Sequence, residues 1–437
     1  MKDRRQWLDE TTPISDDPRR VPAPPSEEGR GKVLVLQGGR ILDGTGAEAR
    51  PGTLVIEGNQ VRKILPAEST AWPGDARVID VTGQTVMAGL IDLHTHLSYD
   101  EPDVLLPQAQ SPSDATLRGM ERLRFFIECG ITSIRDAGSS TDVPFRLKAW
   151  VAQNRLPGPR VFPAGCLITG TGGHGAEGLS SVSSAVGTIR EASGPDDWRN
   201  AVREQFKKGA DVIKIASHFS RDEVRAAVDE AHTLGLKVMC DAETHYIQWA
   251  VEAGADVIEH PLPRTDATIE LMAEMGAQAV PTLVPYMIIF DHYGGYFHST
   301  SRRFTFSKED NLNVVRRMKK AGVKIGVGTD LVMDWFRYLP EAYITELKQF
   351  VLAGFTAPEA LEAATRVSAE ILDMDDRLGT LEEGKLADVA VFDGRPDEDL
   401  DDLANVTLVI RDGLVIVEMG QVITPRHVAK SMRTPSP

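Results

Sequence analysis

The sequence predicts an α/β fold, a (β/α)₈ TIM barrel with a small β-sandwich built from N- and C-terminal segments. Its 437 residues suffice for one barrel, which takes about 250 residues or more, and for an accessory domain. Across residues 87–375, short Val- and Ile-rich strands alternate with amphipathic helical stretches, the pattern of repeated βα units. Both ends of the chain have another pattern, in which apolar bursts are separated by Gly-rich turns.

The antiparallel β pattern covers residues 32–86 and returns over residues 376–425. The first section contains Val33–Leu36, and the second contains Leu414–Val417 directly after an Asp-Gly turn. One small β-sandwich that is formed from both sections and lies beside the barrel is the simplest way to join them.

The extreme ends of the chain differ from both patterns. Residues 1–31 are rich in Arg, Asp, Glu and Pro and lack the apolar core of a secretory signal, so they are predicted to be a disordered leader. Residues 426–437 are predicted to be a tail. The sequence has no later run of about 18 apolar residues, so no membrane span is predicted.

Three widely spaced cysteines favour a reducing compartment over a disulfide framework. We therefore expect a cytoplasmic protein.

The net charge of the chain limits the classes of partner that it is expected to bind. With 64 acidic and 48 basic residues, the formal net charge is -16, which disfavours binding to nucleic acid or to an anionic membrane surface. A small-molecule substrate is the better expectation. Assembly into a homo-oligomer would be unsurprising for such a barrel and is also expected.

In most of the predicted βα units, a polar residue stands at or just past the carboxyl end of the strand. In a parallel barrel these ends converge on one face, where active sites lie. The clearest units are Ile131–Asp136, Asp211–Ile215, Leu236–Asp241, Asp256–His260 and Lys324–Asp330.

The first such strand end is Gly89–His96, which carries His94 and His96. Residues two apart in an extended segment share a face, so both imidazoles can point into the barrel mouth and bind one metal ion. An isolated His-x-His motif is weak evidence, but its place after a buried apolar strand favours a pair of ligands.

Lys214 lies inside the apolar segment Val212–Ile215, where an ammonium group is costly to bury without a partner. Next to metal cations the amine would become neutral, and its reaction with carbon dioxide would form a carbamate able to bridge two ions. The alternative is an ordinary lysine that forms a salt bridge or snorkels to solvent.

Two later strand ends supply further candidates. His260 precedes Pro261, which takes the chain out of regular strand pairing, and a metal ligand is the favoured interpretation. Asp330 follows Gly326–Thr329, where a carboxylate can bind metal and accept a proton from bound water. A lone Thr-Asp pair is more often a helix cap, so only the combination of residues makes Asp330 a candidate.

Five segments, taken together and in order, carry a family resemblance. They are Gly89–His96, Gly209–Lys214, Glu252–His260, Gly328–Asp330 and Leu378–Asp388. As a set they resemble the amidohydrolase superfamily, and most closely its imidazolonepropionase-like and Xaa-Pro dipeptidase-like branch, which includes hydrolases of N-acyl amino acids and related amides.

The resemblance implies a hydrolase with two divalent ions, zinc in the first place, with manganese, cobalt or iron as alternatives. It implies that His94 and His96 hold the more buried ion and that a carboxylated Lys214 bridges the pair. By the same resemblance His260 helps to hold the second ion, and Asp330 is both ligand and general base. Metal-activated water would cleave an amide or peptide-like C–N bond of a small substrate, such as an N-acyl amino acid or an Xaa-Pro dipeptide.

Three further residues are candidates for binding substrate. His174 resembles the Gly-His-Gly segment of the branch and could contact the substrate carbonyl or carboxylate, which also makes it a catalytic candidate. Tyr286 is a similar candidate, with an ordinary barrel aromatic as the alternative. Arg337 could bind a substrate carboxylate through two hydrogen bonds, and a solvated loop residue is the alternative.

One departure from the branch concerns the fifth barrel strand, which usually ends in His-x-His. Here Asp241 stands at the ligand position, and His245 follows four residues later. Zinc accepts both carboxylate and imidazole. Keeping a nitrogen ligand favours His245, while a weakened or single-metal site stays open.

The remaining polar candidates have simpler interpretations. Arg135 and Asp136 either orient metal ligands from behind or form a structural ion pair. The other histidines are predicted to be surface or helix residues. They are His218, His232, His292, His298 and His427.

Two other functions remain open from the sequence. A mononuclear deaminase or cyclic-amide hydrolase, imidazolonepropionase-like, uses the same fold, but Lys214 argues against it because such sites generally manage without a bridging lysine. A catalytically degenerate barrel that binds a ligand is suggested by the missing histidine of the fifth strand.

Overall fold

The computed structural model describes residues 32–99, 111–176, 187–292 and 307–423. The predicted leader and the predicted tail lie outside these ranges. Strands predominate at both ends of the described chain, and helices alternate with strands between them. Within the described ranges, no helix is both long and apolar enough to cross a membrane.

The strands and helices are numbered in chain order. The strands are β1 (Val33–Leu42), β2 (Arg50–Glu57), β3 (Gln60–Leu65), β4 (Arg77–Asp80), β5 (Thr85–Ala88), β6 (Leu90–Thr95), β7 (Ile131–Asp136), β8 (Arg160–Pro163), β9 (Leu167–Gly170), β10 (Ile189–Ala192), β11 (Val212–Ala216), β12 (Lys237–Asp241), β13 (Val257–Glu259), β14 (Gln278–Val280), β15 (Val389–Phe392), β16 (Val406–Arg411), β17 (Leu414–Glu418) and β18 (Gln421–Val422). The helices are α1 (Pro112–Glu128), α2 (Val143–Ala152), α3 (Pro195–Lys208), α4 (Arg221–Thr233), α5 (His245–Ala253), α6 (Asp266–Met275), α7 (Leu283–His292), α8 (Lys308–Lys320), α9 (Glu341–Leu352), α10 (Ala357–Glu362) and α11 (Ser368–Ile371). Shorter helical turns are Met333–Tyr338, Ala363–Val367 and Leu400–Ala404.

A nine-stranded sheet joins the two ends of the chain. Its order is β18-β17-β16-β15-β5-β1-β2-β3, and β4 pairs with β1 beside β5. The N- and C-terminal sections meet where β5 and β15 pair in antiparallel fashion, with Val389 opposite Ala88. Leu36, Leu54 and Ile410 are completely buried in the apolar core of this sheet. The two ends of the chain are therefore joined in one sheet.

The central part contains two parallel sheets, β6-β7-β8 and β10-β9-β11-β12-β13-β14. Backbone hydrogen bonds connect these two sheets to each other and to the segment after α8. Asp211 N donates to Pro163 O (2.9 Å) between the start of β11 and β8, and Leu93 N donates to Val327 O (2.8 Å) between β6 and the segment after α8. A bond of the same kind connects that segment to β14. The predicted α/β fold with parallel strands is confirmed.

Local sequence explains why these elements form. Ile213 and Val238 are completely buried, and apolar runs of this kind are typical of parallel strands that helices cover on both faces. Helix α4 begins with a capping box between Ser220 and Glu223. Helix α3 ends at Gly209, whose left-handed conformation costs glycine little and turns the chain toward β11.

Candidate metal centre

Two histidines near the end of β6 are held through the same ring nitrogen. His94 Nδ1 lies 2.7 Å from Glu259 Oε2, and His96 Nδ1 lies 2.8 Å from Gly138 O. Because these partners are oxygen acceptors, Nδ1 carries the proton and Nε2 keeps a lone pair for a metal ion. His94 is buried, whereas His96 is partly exposed.

Lys214 is buried on β11 and points toward the histidines. Its Nζ lies 3.4 Å from His94 Nε2 and 3.6 Å from Asp241 Oδ2. The amine therefore shares one enclosed space with an imidazole and a carboxylate, and it does not snorkel to solvent, since its side chain is only 2% exposed.

His260 directly follows β13 and has a left-handed backbone, with φ at 62°. Its Nδ1 lies 2.8 Å from Thr282 Oγ1, and its Nε2 lies 3.0 Å from Asp241 Oδ2. Arg264 Nη2 donates to its carbonyl at 2.6 Å. A non-glycine residue in this conformation costs about 1 kcal/mol or more, so it persists only where surrounding contacts impose it.

Asp330 reaches the same space from the segment after α8. Its Oδ1 lies 3.1 Å from His96 Nε2 and 3.5 Å from His94 Nε2, and its Oδ2 lies 3.8 Å from His260 Nδ1. Its backbone is also left-handed, with φ at 48°, and its N–H donates to His94 O at 2.6 Å. The backbone of β6 thus fixes the position of this carboxylate.

Three of these side chains form a group suited to a metal ion. One ligand atom each from His94, His260 and Asp330 lies within 4.8 Å of the other two. Imidazole nitrogen and carboxylate oxygen are the donors found in catalytic sites of zinc and related ions. The residues present therefore fit the divalent metal that the sequence predicts.

The charges around this group favour an ionised carboxylate. Burial alone would raise the pKa of Asp241, but His260, His174 and Lys214 hold that pKa well below its usual range. Burial raises the pKa of Glu259. Because metal ligands bind in their deprotonated form, Asp241 is ready to coordinate an ion.

Glu259 was not a candidate in the sequence, yet it supports the first histidine. Its Oε2 faces His94 Nδ1, and its Oε1 accepts a hydrogen bond from Arg135 Nη2 at 2.7 Å. Arg135 Nε also donates to Leu93 O at 2.5 Å. Arg135 forms an ion pair with Glu259 and not with Asp136, and this pair lies directly behind a candidate ligand. The signal in the sequence was a charged residue inside the apolar run Val257–Glu259.

Two buried aspartates brace the chain around the group. Asp136 Oδ2 accepts a hydrogen bond from Leu97 N at 2.8 Å, just beyond the two histidines. Asp92, which sequence analysis did not single out, accepts hydrogen bonds from the backbone N–H and the hydroxyl of Thr329 at 3.1 and 2.6 Å. Burial raises the pKa of Asp92 to about 7. These contacts tie β6 to the residue before Asp330.

Two of the predicted substrate-binding residues lie next to the group. His174 Nε2 is 3.4 Å from Asp241 Oδ2, and 37% of its side chain is exposed. Tyr286, on α7, is buried, and its ring centroid lies 6.1 Å from that of His260. His174 therefore lies beside a carboxylate that contacts the candidate group, and Tyr286 lies beside one histidine of the group.

His245 and Arg337 lie elsewhere. His245 is exposed at the start of α5, where its ring lies 4.2 Å from that of Tyr246 and 4.6 Å from that of Trp249, measured between centroids. Arg337 is exposed in the turn Met333–Tyr338. The structure brings Asp241 and not His245 to the group, because β12 ends at Asp241 and the chain has entered α5 by His245.

The remaining histidines have the following positions. His232 Nε2, on α4, lies 2.8 Å from Asp256 Oδ2. The half-buried His218 ring packs 5.6 Å from that of Tyr246, and His292 is exposed at the end of α7. His298 and His427 lie outside the described residues.

The model of the amidohydrolase family matches residues 85–416, from β5 into β17. The chain belongs to the amidohydrolase family. The resemblance that five short segments predicted is thereby confirmed, and the match covers the strand ends that carry His94, Lys214, His260 and Asp330.

Similar proteins agree with this assignment. Ochratoxinase from Aspergillus niger is 27% identical over 428 residues, which cover 89% of this chain and 87% of that protein. Imidazolonepropionase from Mesorhizobium japonicum is 27% identical over 385 residues, covering 80% and 86%. The crystal structure of a prolidase complexed with N-methylphosphonate-L-proline has a TM-score of 0.81 at 31% identity, covering 89% of this chain and 100% of that one. The predicted class of enzyme, a hydrolase acting on C–N bonds, is confirmed.

Proposed function

We propose that this amidohydrolase is a metal-dependent enzyme that cleaves the amide or peptide-like C–N bond of a small substrate, an N-acyl amino acid or an Xaa-Pro dipeptide. One observation carries the proposal. Ligand atoms of His94, His260 and Asp330 lie within 4.8 Å of one another, and Lys214 Nζ lies 3.4 Å from His94 Nε2. The names of the relatives, ochratoxinase and prolidase among them, support substrates with an amide bond beside an amino acid.

The proposed metal is a pair of divalent ions, zinc in the first place, with manganese, cobalt or iron as alternatives. Lys214 would bridge the pair as a carbamate, and the support for this role is its position between His94 Nε2 and Asp241 Oδ2. The proposed ligands are His94, His96, Lys214, Asp241, His260 and Asp330.

We propose Asp241 rather than His245 as the ligand from the fifth barrel strand. The support is a distance of 3.0 Å between Asp241 Oδ2 and His260 Nε2. The exposed ring of His245 instead packs on neighbouring aromatic side chains of α5. A carboxylate in place of an imidazole supplies an oxygen donor instead of a nitrogen donor, and zinc, manganese and iron all accept oxygen ligands.

The chemistry divides between the ions and the protein side chains. When bound, divalent ions lower the pKa of a coordinated water and polarise a carbonyl group. Asp330 Oδ1, 3.1 Å from His96 Nε2, stands where it can accept the proton of the attacking water and later deliver it to the leaving nitrogen. His174 and Tyr286 would hold the carbonyl or carboxylate of the substrate. Arg337, which is exposed in the turn Met333–Tyr338, is a further proposed ligand of a substrate carboxylate.

We also propose a closed eight-stranded barrel over residues 87–375 and a β-sandwich from residues 32–86 and 376–425. Backbone hydrogen bonds between β8 and the start of β11 support closure on one side. On the other side, residues 324–327 bond to both β14 and β6, which supports an eighth barrel strand in this segment. Pairing of β5 with β15 supports a terminal domain made from both ends of the chain.

A cytoplasmic homo-oligomer is the proposed working state. The support for a reducing compartment is that Cys129, Cys166 and Cys240 are all buried and none forms a disulfide. Light scattering of the purified protein measures the oligomeric state directly.

The deciding experiment combines metal content with a substrate panel. Protein purified without added metal is subjected to elemental analysis and then assayed on N-acyl amino acids and proline dipeptides. About two ions per chain with turnover of an amide substrate supports the proposal. One ion with deaminase or cyclic-amide activity would replace it with the mononuclear alternative. Failure to bind zinc, manganese or cobalt, with no turnover, would replace it with a binding barrel.

A further inference from the structure

Asp92 and Thr329 join the two chain segments that carry His94 and Asp330. Asp92 lies on β6, two residues before His94, and Thr329 lies in the segment after α8, directly before Asp330. The two residues are 237 positions apart in the chain, and both are completely buried. Because neither side chain reaches solvent, any part that they play in the reaction must act through their neighbours.

The carboxylate of Asp92 accepts three hydrogen bonds. Its Oδ1 accepts one from His94 N and one from Thr329 N, both at 3.1 Å. Its Oδ2 accepts one from the hydroxyl of Thr329 at 2.6 Å. One side chain thus holds the backbone of a proposed metal ligand together with the backbone next to the proposed general base.

The backbone around Thr329 is fixed on both sides. Thr329 N donates to Asp92 Oδ1, and the next N–H, that of Asp330, donates to His94 O at 2.6 Å. Gly328 packs so closely on β6 that a Cβ atom added there would lie 2.8 Å from His94 Cβ. The direction in which the Asp330 side chain leaves the backbone is therefore set by contacts with β6.

The hydroxyl of Thr329 adds to other contacts between the same two segments. Leu93 N donates to Val327 O at 2.8 Å, and Thr95 pairs with Leu331 in a parallel bridge. These backbone contacts do not involve the hydroxyl. We therefore expect its removal to change the direction of the neighbouring carboxylate more than the pairing of the segments.

We propose that Asp92 and Thr329 are positioning residues of the hydrolytic reaction, which hold the carboxylate of Asp330 beside the ring nitrogens of His94 and His96. This inference rests on the proposed function of Asp330 as general base. Asp330 Oδ1 lies 3.1 Å from His96 Nε2 and 3.5 Å from His94 Nε2. A proton acceptor must lie within hydrogen-bonding reach of the attacking water, and a displacement of about 1 Å can cost about 10²-fold in rate.

The first test removes the hydroxyl alone. Thr329→Val keeps the branched shape of the side chain but cannot donate to Asp92, so kcat should fall by about 10-fold or more while KM changes by less than about twofold. Thr329→Ser keeps a hydroxyl and should recover most of the lost kcat. The matched control is Thr85→Val, which removes an equally buried hydroxyl that donates to Gly394 O at 2.6 Å in the nine-stranded sheet. It should lower Tm and leave kcat unchanged.

Asp92→Asn tests whether the two residues act together. A neutral acceptor forms a weaker bond with the Thr329 hydroxyl than a carboxylate does, so kcat should fall here too. In the double variant of Asp92→Asn and Thr329→Val, kcat should match that of the slower single variant, because residues that act as a unit are not additive. A wild-type kcat in Thr329→Val, an equal loss in Thr85→Val, or additive losses in the double variant would overturn the proposal.

A crystallographic comparison gives a readout that does not depend on turnover. Wild-type and Thr329→Val crystals are grown with zinc under the same conditions. In the variant, the Asp330 carboxylate should move by about 1 Å or more or occupy two positions, and an unmoved carboxylate would contradict the inference. If the wild type hydrolyses no amide, the proposed function fails and this comparison still decides the positioning role. If Thr329→Val does not fold, Asp92→Asn takes its place in the comparison.

Discussion

The two ends of the parallel strands handle charge differently. At the amino ends, before β11 and β13, oppositely charged or hydrogen-bonding groups meet in pairs. Asp211 Oδ2 lies 2.6 Å from Lys148 Nζ, and Asp256 Oδ2 lies 2.8 Å from His232 Nε2. Each of these pairs joins a helix to the start of a strand that lies later in the chain.

At the carboxyl ends, several groups share one space. Asp241 Oδ2 lies 3.0 Å from His260 Nε2, 3.4 Å from His174 Nε2 and 3.6 Å from Lys214 Nζ. Three groups therefore share the Oδ2 atom of Asp241, and a metal ion could bind the same carboxylate. The comparison shows that convergence of donors, rather than buried charge by itself, distinguishes the candidate site.

Backbone conformation follows the same division. Gly209 and Gly254 take left-handed conformations before β11 and β13, where glycine adopts them at little cost. His260 and Asp330 take the same conformation at the carboxyl ends, where a side chain makes it costly. Both residues belong to the candidate metal-binding group, and other non-glycine residues, Thr244 and Thr282 among them, also have a positive φ. Four predictions test this comparison.

The largest effect is expected for Asp330→Asn. The amide keeps the size of the side chain but cannot accept a proton, so kcat should fall by about 10³-fold. Steady-state kinetics measures this loss; Tm should stay close to that of the unmodified protein, and elemental analysis should find much of the metal still bound. Asp334→Asn, at an exposed position nearby, is the matched control and should leave kcat unchanged. A near-normal kcat in Asp330→Asn would remove the general base from the proposal.

The second prediction compares the two candidate metal ligands of the fifth barrel strand, Asp241 and His245. Asp241→Ala should lower metal affinity and kcat/KM by about 10²-fold or more, because the loss even of a supporting partner can cost that much. His245→Ala should change both by less than about twofold, as expected of an exposed surface residue. Metal titration against a chelator and kinetics on one amide substrate measure both. The reverse order of effects would restore His245 as the ligand.

Glu259→Gln should act through His94. The neutral amide no longer orients the imidazole as a charged acceptor, so metal affinity should fall by about 10-fold to 10²-fold. Chelator competition gives this affinity apart from activity. Glu346→Gln is the control, since that buried carboxylate accepts hydrogen bonds from Leu283 N and Val284 N and, among the described residues, forms no hydrogen bond or ion pair with a candidate ligand. Its Tm should fall while metal affinity stays constant; equal metal affinity in both variants would assign Glu259 a purely structural role.

The smallest effect is expected for His232, which lies near the amino ends of the parallel strands. His232→Gln removes the ring that bonds to Asp256, which should lower the free energy of unfolding by about 1 kcal/mol. Metal affinity and kcat/KM should not change, because this pair lies at the other end of the strands. Denaturant unfolding and kinetics measure the two quantities, and a loss of activity without loss of stability would contradict the division.

Sequence analysis predicted the α/β fold, the family and most members of the group. The apolar runs around Lys214 and before His260 each left one polar residue at or near a strand end, and such a pattern is local enough to be found in one sequence. The preference for His245 over Asp241 did not match the geometry. It rested on donor type alone, whereas the boundary between β12 and α5 decides which side chain faces the interior.

Residue type and periodicity along the chain determined the parallel strands and the candidate metal-binding side chains at their carboxyl ends, because both signals repeat within a few residues. Only the tertiary structure decided which groups meet. Glu259 supports His94 across 165 positions of sequence, and Asp92 meets Thr329 across 237 positions. Contacts of this kind depend on the distance between packed strands and helices, which no local pattern encodes.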